Sequence, residues 1–110
     1  MSRPLIAGYE WRQRVRAVSS PPLFPASAQY AAQLRASLTG PVLATLTTAE
    51  STIVRIDDDT VELVVPPAAS SSWNTREVVL DLVRTDVAPP RHAGFRLRVR
   101  VAQPVTRGLP

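Results

Sequence analysis

The 110-residue sequence contains no cysteine and no lysine, and its only histidine is His92. Without cysteine the chain cannot form a disulfide, a thiolate nucleophile or a cysteine-ligated zinc site. His92 lies in the segment VAPPRHAG, whose residues favour turns, and no serine stands in a G-x-S-x-G motif. We therefore expect an exposed loop histidine, no catalytic or metal-binding residues, no cofactor, and a protein that is not an enzyme.

Long apolar runs and glycine-rich loops are also missing. No segment reaches the roughly 18 apolar residues that suggest a membrane-spanning helix. The apolar patch near the N terminus is too short for a secretory signal core. We therefore expect no membrane insertion. The four glycines are widely spaced, so the sequence offers no phosphate-cradling loop and argues against a nucleotide-using enzyme.

The positive charge comes from arginine alone, since all 13 cationic residues are arginine and the formal net charge is +4. Two interpretations stay open. The planar donor fork of arginine suits protein interfaces and phosphates. Alternatively, the joint abundance of arginine, alanine and proline reflects a GC-rich genome. The basic balance by itself is therefore not evidence of nucleic-acid binding.

Proline divides the chain into segments of strand length, because eleven prolines are spread along it and proline marks strand ends and edges. Within these segments apolar and polar residues alternate with the period of two that is typical of half-buried strands. The pattern predicts an all-β fold, a single antiparallel Ig-like β-sandwich of about seven strands. The predicted strands cover residues 9–18, 29–37, 42–48, 52–56, 60–65, 77–86 and 95–101.

Two details of this prediction have alternatives. Residues 29–37 also suit a helix, since alanine, glutamine, leucine and arginine favour helices. The carboxylate cluster Asp57–Asp59 could contribute to a cation site, but it lacks the spacing of a calcium loop. Aspartate forms local hydrogen bonds to the backbone, so we expect a hairpin turn there and no metal.

The predicted sandwich domain covers residues 9–103, between an N-terminal arm of residues 1–8 and a C-terminal tail of residues 104–110. The arm carries the apolar pair Leu5 and Ile6, and such an arm can contact a neighbouring subunit or add to its sheet edge. A frayed terminus is the alternative. We expect the core to include Trp11, Trp73, Leu80, Leu82, Leu97 and Val99.

Two predicted strands carry arginine at every second position. The first arginine row consists of Arg12, Arg14 and Arg16, and the second arginine row consists of Arg96, Arg98 and Arg100. Alternate residues of a strand share one face, so each row is a positive stripe. A row of this kind is a solvated face with ion pairs, a protein interface or a nucleic-acid surface.

Each interpretation of the arginine rows has its own sequence signal. Glu77 and Asp81 are expected on the outward face of the preceding strand, where they can pair with the second row across a hairpin. Stacking aromatics, which accompany charge in many nucleic-acid sheets, are missing beside both rows. We take the two rows, together with Leu5 and Ile6, as the candidate interface residues.

Three short motifs follow one another in residues 38–107: a turn at Leu38–Gly40, an L-D-L step at Leu80–Leu82 and a closing V-T-R at Val105–Arg107. In their order they resemble small β-sandwich proteins of tailed phages, the particle-attaching domains of tail and receptor-binding proteins. The small size and the arginine- and alanine-rich composition are similar to those of head spike base proteins of gene transfer agents, which are phage-like particles.

The resemblance implies a structural protein that is present in several copies, as a homo-oligomer, on the surface of a particle assembled in the bacterial cytoplasm. Its implied partners are a capsid or tail structural protein and a receptor-binding fibre. The sequence continues into no fibre or coiled coil after residue 110, so we expect an adaptor for a separate fibre chain. The alternative function, which we favour less, is a small basic β-domain that binds nucleic acid.

Overall fold

Eight strands and one short helix form the part of the chain that the computed structural model describes, residues 3–106. The strands are β1 (Leu5–Ile6), β2 (Trp11–Arg16), β3 (Tyr30–Arg35), β4 (Val42–Thr47), β5 (Ile53–Asp57), β6 (Thr60–Val65), β7 (Glu77–Arg84) and β8 (Arg91–Ala102). The helix α1 is a single turn, Pro67–Ser70. The predicted strand over residues 29–37 is confirmed as β3, because burial of its alternate side chains outweighs its helix propensity.

The strands form two sheets that pack as a β-sandwich. The larger sheet has the order β1-β8-β7-β3-β4, and the smaller has the order β2-β6-β5. This order is that of an Ig-like sandwich in which β2, β6 and β5 correspond to strands B, E and D, and β3, β7 and β8 correspond to strands C, F and G. β4 takes the place of the additional C′ strand beside C. The predicted fold class is confirmed. One pair, β1 with β8, is parallel, whereas the other pairs are antiparallel.

The N-terminal segment belongs to the larger sheet, which differs from the predicted arm. Leu5 pairs with Val101 and Ile6 with Ala102. The side chain of Leu5 is 0% exposed, whereas Ile6 is 36% exposed. The end of β8 has unpaired backbone groups, and β1 forms hydrogen bonds with them. Leu5 packs in the apolar site beside this edge. Leu5 therefore packs in the core of its own chain and is not available to a partner, and only Ile6 of the two has its side chain at the surface.

The interior is organised around aromatic side chains from both sheets and their connections. The rings of Phe24 and Tyr30 lie 5.5 Å apart between centroids in an edge-to-face arrangement. The Tyr30 hydroxyl donates to the backbone carbonyl of Leu23. The Trp11 indole Nε1–H donates to the carbonyl of Arg3 at 2.9 Å, so its buried polar group is satisfied. These bonds tie the loop before β3 and the N-terminal segment to the core.

The predicted core residues are buried with one partial exception. Side chains at most 5% exposed include Trp11, Trp73, Leu80, Leu82 and Val99. Leu97 is half-buried and packs against the rim of this cluster. The alternation of apolar and polar residues correctly predicted that the Leu97 side chain points toward the core.

The last strand begins four residues earlier than predicted, at Arg91 instead of Phe95. The β7–β8 ladder continues past an irregularity between Asp81 and Val83, and pairs Val83 with His92. Gly94 has φ +92°, a conformation that glycine adopts readily and other residues rarely do. His92 is therefore exposed, as expected, but it lies in a strand and not in a loop.

The aspartate cluster forms the turn between β5 and β6, as predicted. The backbone N–H of Asp59 donates to Asp57 Oδ1 at 2.8 Å, and this bond is the main reason that the pKa of Asp57 is lowered. Within residues 3–106 no group of three or more His, Cys, Asp or Glu side chains is arranged to hold a metal ion. The same described segment has no helix long and apolar enough to cross a membrane.

We expect Phe24→Ala to lower the free energy of unfolding by about 3–5 kcal/mol, because it removes a fully buried ring and leaves a cavity beside Tyr30. Urea denaturation followed by tryptophan fluorescence measures the change. The control Val105→Ala, at a side chain 97% exposed, should change the value by no more than about 0.5 kcal/mol. A similarly small change for Phe24→Ala would contradict its place in the core.

Candidate functional site

The two arginine rows lie on the outer faces of opposite sheets. The first row is on β2, where Trp11, Gln13 and Val15 alternate with exposed arginines and turn toward the interior. The second row is on β8, where Leu97 and Val99 turn inward in the same way. Because the two sheets pack face to face, the two rows point away from each other. The alternation was predicted from the sequence, and the opposite directions follow only from the sheet assignment.

Carboxylates bind two members of the first row. Arg12 Nη1 lies 2.9 Å from Glu62 Oε1, and Arg14 Nε lies 3.4 Å from Glu62 Oε2. Arg12 Nε also lies 3.0 Å from Glu10 Oε2. The hydrogen bond from Arg12, followed by that from Arg14, holds the pKa of Glu62 below its ordinary value. The carboxylates of Glu10 and Glu62 in turn raise the pKa of Arg12.

Sequence reasoning missed Glu10 and Glu62. Glu62 meets the first row because β6 runs antiparallel to β2 and places Glu62 opposite Arg14. The two strands are far apart in the sequence, so no local pattern indicates this pairing. Glu10 stands two residues before Arg12, and that spacing was a usable signal, because alternate residues of an extended chain lie on one side.

The second row faces the acidic residues that the sequence indicated. The β7–β8 register places Glu77 opposite Arg100 and Asp81 opposite Arg96. The ion pairs, however, do not join these directly opposite residues. Arg98 Nη1 lies 3.0 Å from Glu77 Oε1, and His92 Nε2 lies 2.8 Å from Asp81 Oδ2. Among residues 3–106, therefore, Arg96 and Arg100 have no carboxylate partner.

A small hollow lies beside the second row on the outer face of the larger sheet. It has a volume of about 100 Å³, and its lining includes Gln33, Arg35, Leu38, Val79, Asp81 and Arg96. Val79 lies opposite Arg98 on one side and Arg35 on the other, and it is only 6% exposed although it faces outward. The apolar stems of flanking arginines cover it. The Arg35 guanidinium donates to the Gly40 carbonyl and, at 2.8 Å, to Gln33 Oε1.

A larger cleft of about 260 Å³ lies at the end of β7 and β8. Arg84 and Arg91 stand opposite each other there and both line the cleft. Arg84 Nε and Nη2 bind the Asp86 carboxylate at 2.8 and 3.1 Å, which lowers the pKa of Asp86 to about 2. One of the two cleft arginines is therefore already neutralised within the chain.

Two comparisons with known proteins detected no relative of this chain. No protein-family model matches the sequence, and no curated protein is detectably similar to it. The resemblance to phage attachment proteins therefore stays a prediction.

We expect Arg12→Gln to raise the pKa of Glu62 toward its ordinary value of about 4.5, because the hydrogen bond from Arg12 is the largest cause of the lowering. The ionised Glu62 stabilises the fold above its ordinary pKa, and this contribution is lost as the pH falls through the lowered pKa of the folded state. A ¹³C NMR titration of the glutamate carboxyl carbons measures the pKa of Glu62 in the unaltered protein and in Arg12→Gln.

The matched control is Arg16→Gln, on the same strand, since Arg16 makes no bond to Glu62. It should leave the titration midpoint of Glu62 unchanged. A Glu62 that titrates at its ordinary value in the unaltered protein would show that the contacts of the first row do not persist in solution.

Proposed function

We propose that this protein is a structural attachment protein of a phage-like particle, a multi-copy adaptor that joins the shell or tail to a receptor-binding fibre. The observation that carries the proposal is the position of the two arginine rows on opposite outer faces of one small Ig-like sandwich. Arginine is enriched in protein interfaces, so each face is suited to contact a protein.

Two opposite faces suit an adaptor in particular. An adaptor holds two different partners at once, and partners on opposite sides of a sandwich do not compete for space. Both faces are built on strands, whose hydrogen-bonded ladders keep the arginine spacing constant. Several copies around one attachment point would make modest single contacts sufficient, because the later contacts are intramolecular.

The phage-like particle in this proposal is inferred from the resemblance of the sequence to phage proteins. Its first motif, Leu38–Gly40, forms the turn between β3 and β4. Its second motif lies on β7, where Leu80 and Leu82 are buried and Asp81 faces outward. Val105 and Thr106 of the third motif follow β8, and Arg107 lies outside the described residues.

Nucleic-acid binding is the second candidate, and one observation favours it. Arg96 and Arg100 have no carboxylate partner among residues 3–106, so both guanidiniums are available to phosphates. The face lacks the usual stacking platform, however. Phe95 packs toward the core, and the other aromatic side chains of the described segment are buried, with the exception of Tyr9. Protein binding is therefore the better-supported function.

We expect mass spectrometry of density-gradient-purified, nuclease-resistant particles from the source culture to detect this chain at a fixed ratio to the shell protein across the particle fractions. A strain that lacks the chain should make particles that keep the shell and lose the fibre in electron micrographs. Absence of the chain from clean particles, or normal fibres without it, would contradict the proposal.

We expect little retention of the chain on immobilised double-stranded DNA even at low salt, about 50 mM, where phosphate contacts contribute most. A nucleic-acid protein would be retained, and its affinity would fall with salt at a slope set by the number of phosphate contacts. In that case Arg96→Ala combined with Arg98→Ala would abolish retention, whereas the control Arg76→Ala, outside both rows, would not. Such a result would replace the adaptor function with the nucleic-acid one.

A further inference from the structure

The two arginine faces differ in how much of their charge is neutralised within the chain. On the first row, Arg12 and Arg14 share the carboxylates of Glu10 and Glu62, and Arg16 lies close enough to Asp57 to contribute to the lowering of its pKa. On the second row, the carboxylates of β7 bind only Arg98 and His92. The face of the larger sheet therefore retains more uncompensated positive charge.

A local hydrogen-bond arrangement explains why Arg96 has no carboxylate. Asp81 stands directly opposite Arg96, yet its Oδ2 lies 2.8 Å from His92 Nε2. The backbone N–H of Gly94 donates to His92 Nδ1 at 2.8 Å. In a neutral ring the nitrogen that accepts carries no proton, so the proton is on Nε2 and is donated to Asp81. The bend at Gly94 thus orients the histidine that binds Asp81 in place of Arg96.

The hollow beside Arg96 has the properties of a site for one acidic side chain. Its lining includes the apolar Val79 and the cationic Arg35 and Arg96. It also includes Asp81, whose Oδ2 is held by His92 Nε2. Arg35 is held by the Gly40 carbonyl and Gln33, which are neutral acceptors, so its charge is not compensated by these bonds. A carboxylate of a partner would bind the guanidinium forks of Arg35 and Arg96, and its methylene groups would pack on the apolar stems of these arginines.

We propose that the outer face of the larger sheet binds an acidic protein surface, and that one Asp or Glu side chain of this partner enters the hollow between Arg35 and Arg96. This inference rests on the proposed function and names the chemistry of one of its two partners. A protein carboxylate fits better than a nucleic acid, because no aromatic ring lines the hollow to stack a base. The excess positive charge would also steer an acidic partner to this face.

A solution experiment tests the site without knowledge of the partner. The ¹⁵N-labelled chain is titrated with an acetylated and amidated hexaglutamate peptide at low salt, and amide shifts are followed by NMR. We expect the largest shifts at Arg35, Leu38, Val79 and Arg96. Arg96→Glu should weaken the interaction by about tenfold or more, whereas Arg76→Glu, an equal change of charge outside the hollow, should change it much less.

Three results would overturn the inference. The first is a set of shifts that centres on the first row or spreads evenly over both faces. The second is an equal effect of Arg76→Glu and Arg96→Glu. The third is tighter binding of a thymidine hexanucleotide at the same face, which would indicate phosphate recognition. The Arg96 side chain makes no hydrogen bond or ion pair with a residue of the described segment, so Arg96→Glu should fold. Arg96→Gln provides a second variant that removes the charge without reversing it.

A particle experiment separates failure of this inference from failure of the proposed function. Producing cells express the unaltered chain, Arg96→Glu or Arg76→Glu as the only copy, and purified particles are analysed for both chain and fibre. Loss of the Arg96→Glu chain, or of the fibre it should hold, supports the inference. If particles carry the Arg96→Glu chain and its fibre normally, the inference fails and the adaptor function stands. If even the unaltered chain is absent from particles, the adaptor function fails, and the peptide titration alone decides the carboxylate site.

Discussion

Burial of one face of each sheet against the other is the constraint on which the rest of this structure depends. Strand side chains alternate between two directions, so the packing of Leu82, Val99 and Trp11 inward sends their neighbours outward. The arginines of both rows are among those neighbours. A shift of one residue in the register of β2 or β8 would bury charge and expose the core, so the core sets the positions of the charged faces.

The same packing also makes the two faces differ in how much of their arginine charge is neutralised. Both rows share the alternation of arginine with apolar residues, but their cross-strand neighbours differ. On β6 a single carboxylate, Glu62, contacts two arginines of the first row. On β7 Asp81 is bound by His92, whose ring is oriented by the N–H of Gly94. A few hydrogen bonds therefore decide which face carries charge that a partner can neutralise.

The alternating pattern predicted the strands well because each strand buries one face. It also indicated that Glu77 and Asp81 would face the second row, since β7 and β8 are neighbours in sequence as well as in space. It failed where the decisive contact was distant. Leu5 is buried because β8 provides an unpaired edge almost a hundred residues later. The early start of β8 at Arg91 has a different cause, since the ladder with the adjacent β7 continues past the irregularity between Asp81 and Val83.

The local pattern of residues was sufficient to predict the all-β class, seven of the strand segments, the aspartate turn and the two arginine stripes, because these depend on neighbours two or three residues apart. The opposite directions of the stripes, the compensation of one stripe by Glu62 and the hollow that Val79, Arg35 and Arg96 line depend on the tertiary structure. Those features join strands that are distant in the chain, and their geometry is set by sheet order and register, which no local pattern encodes.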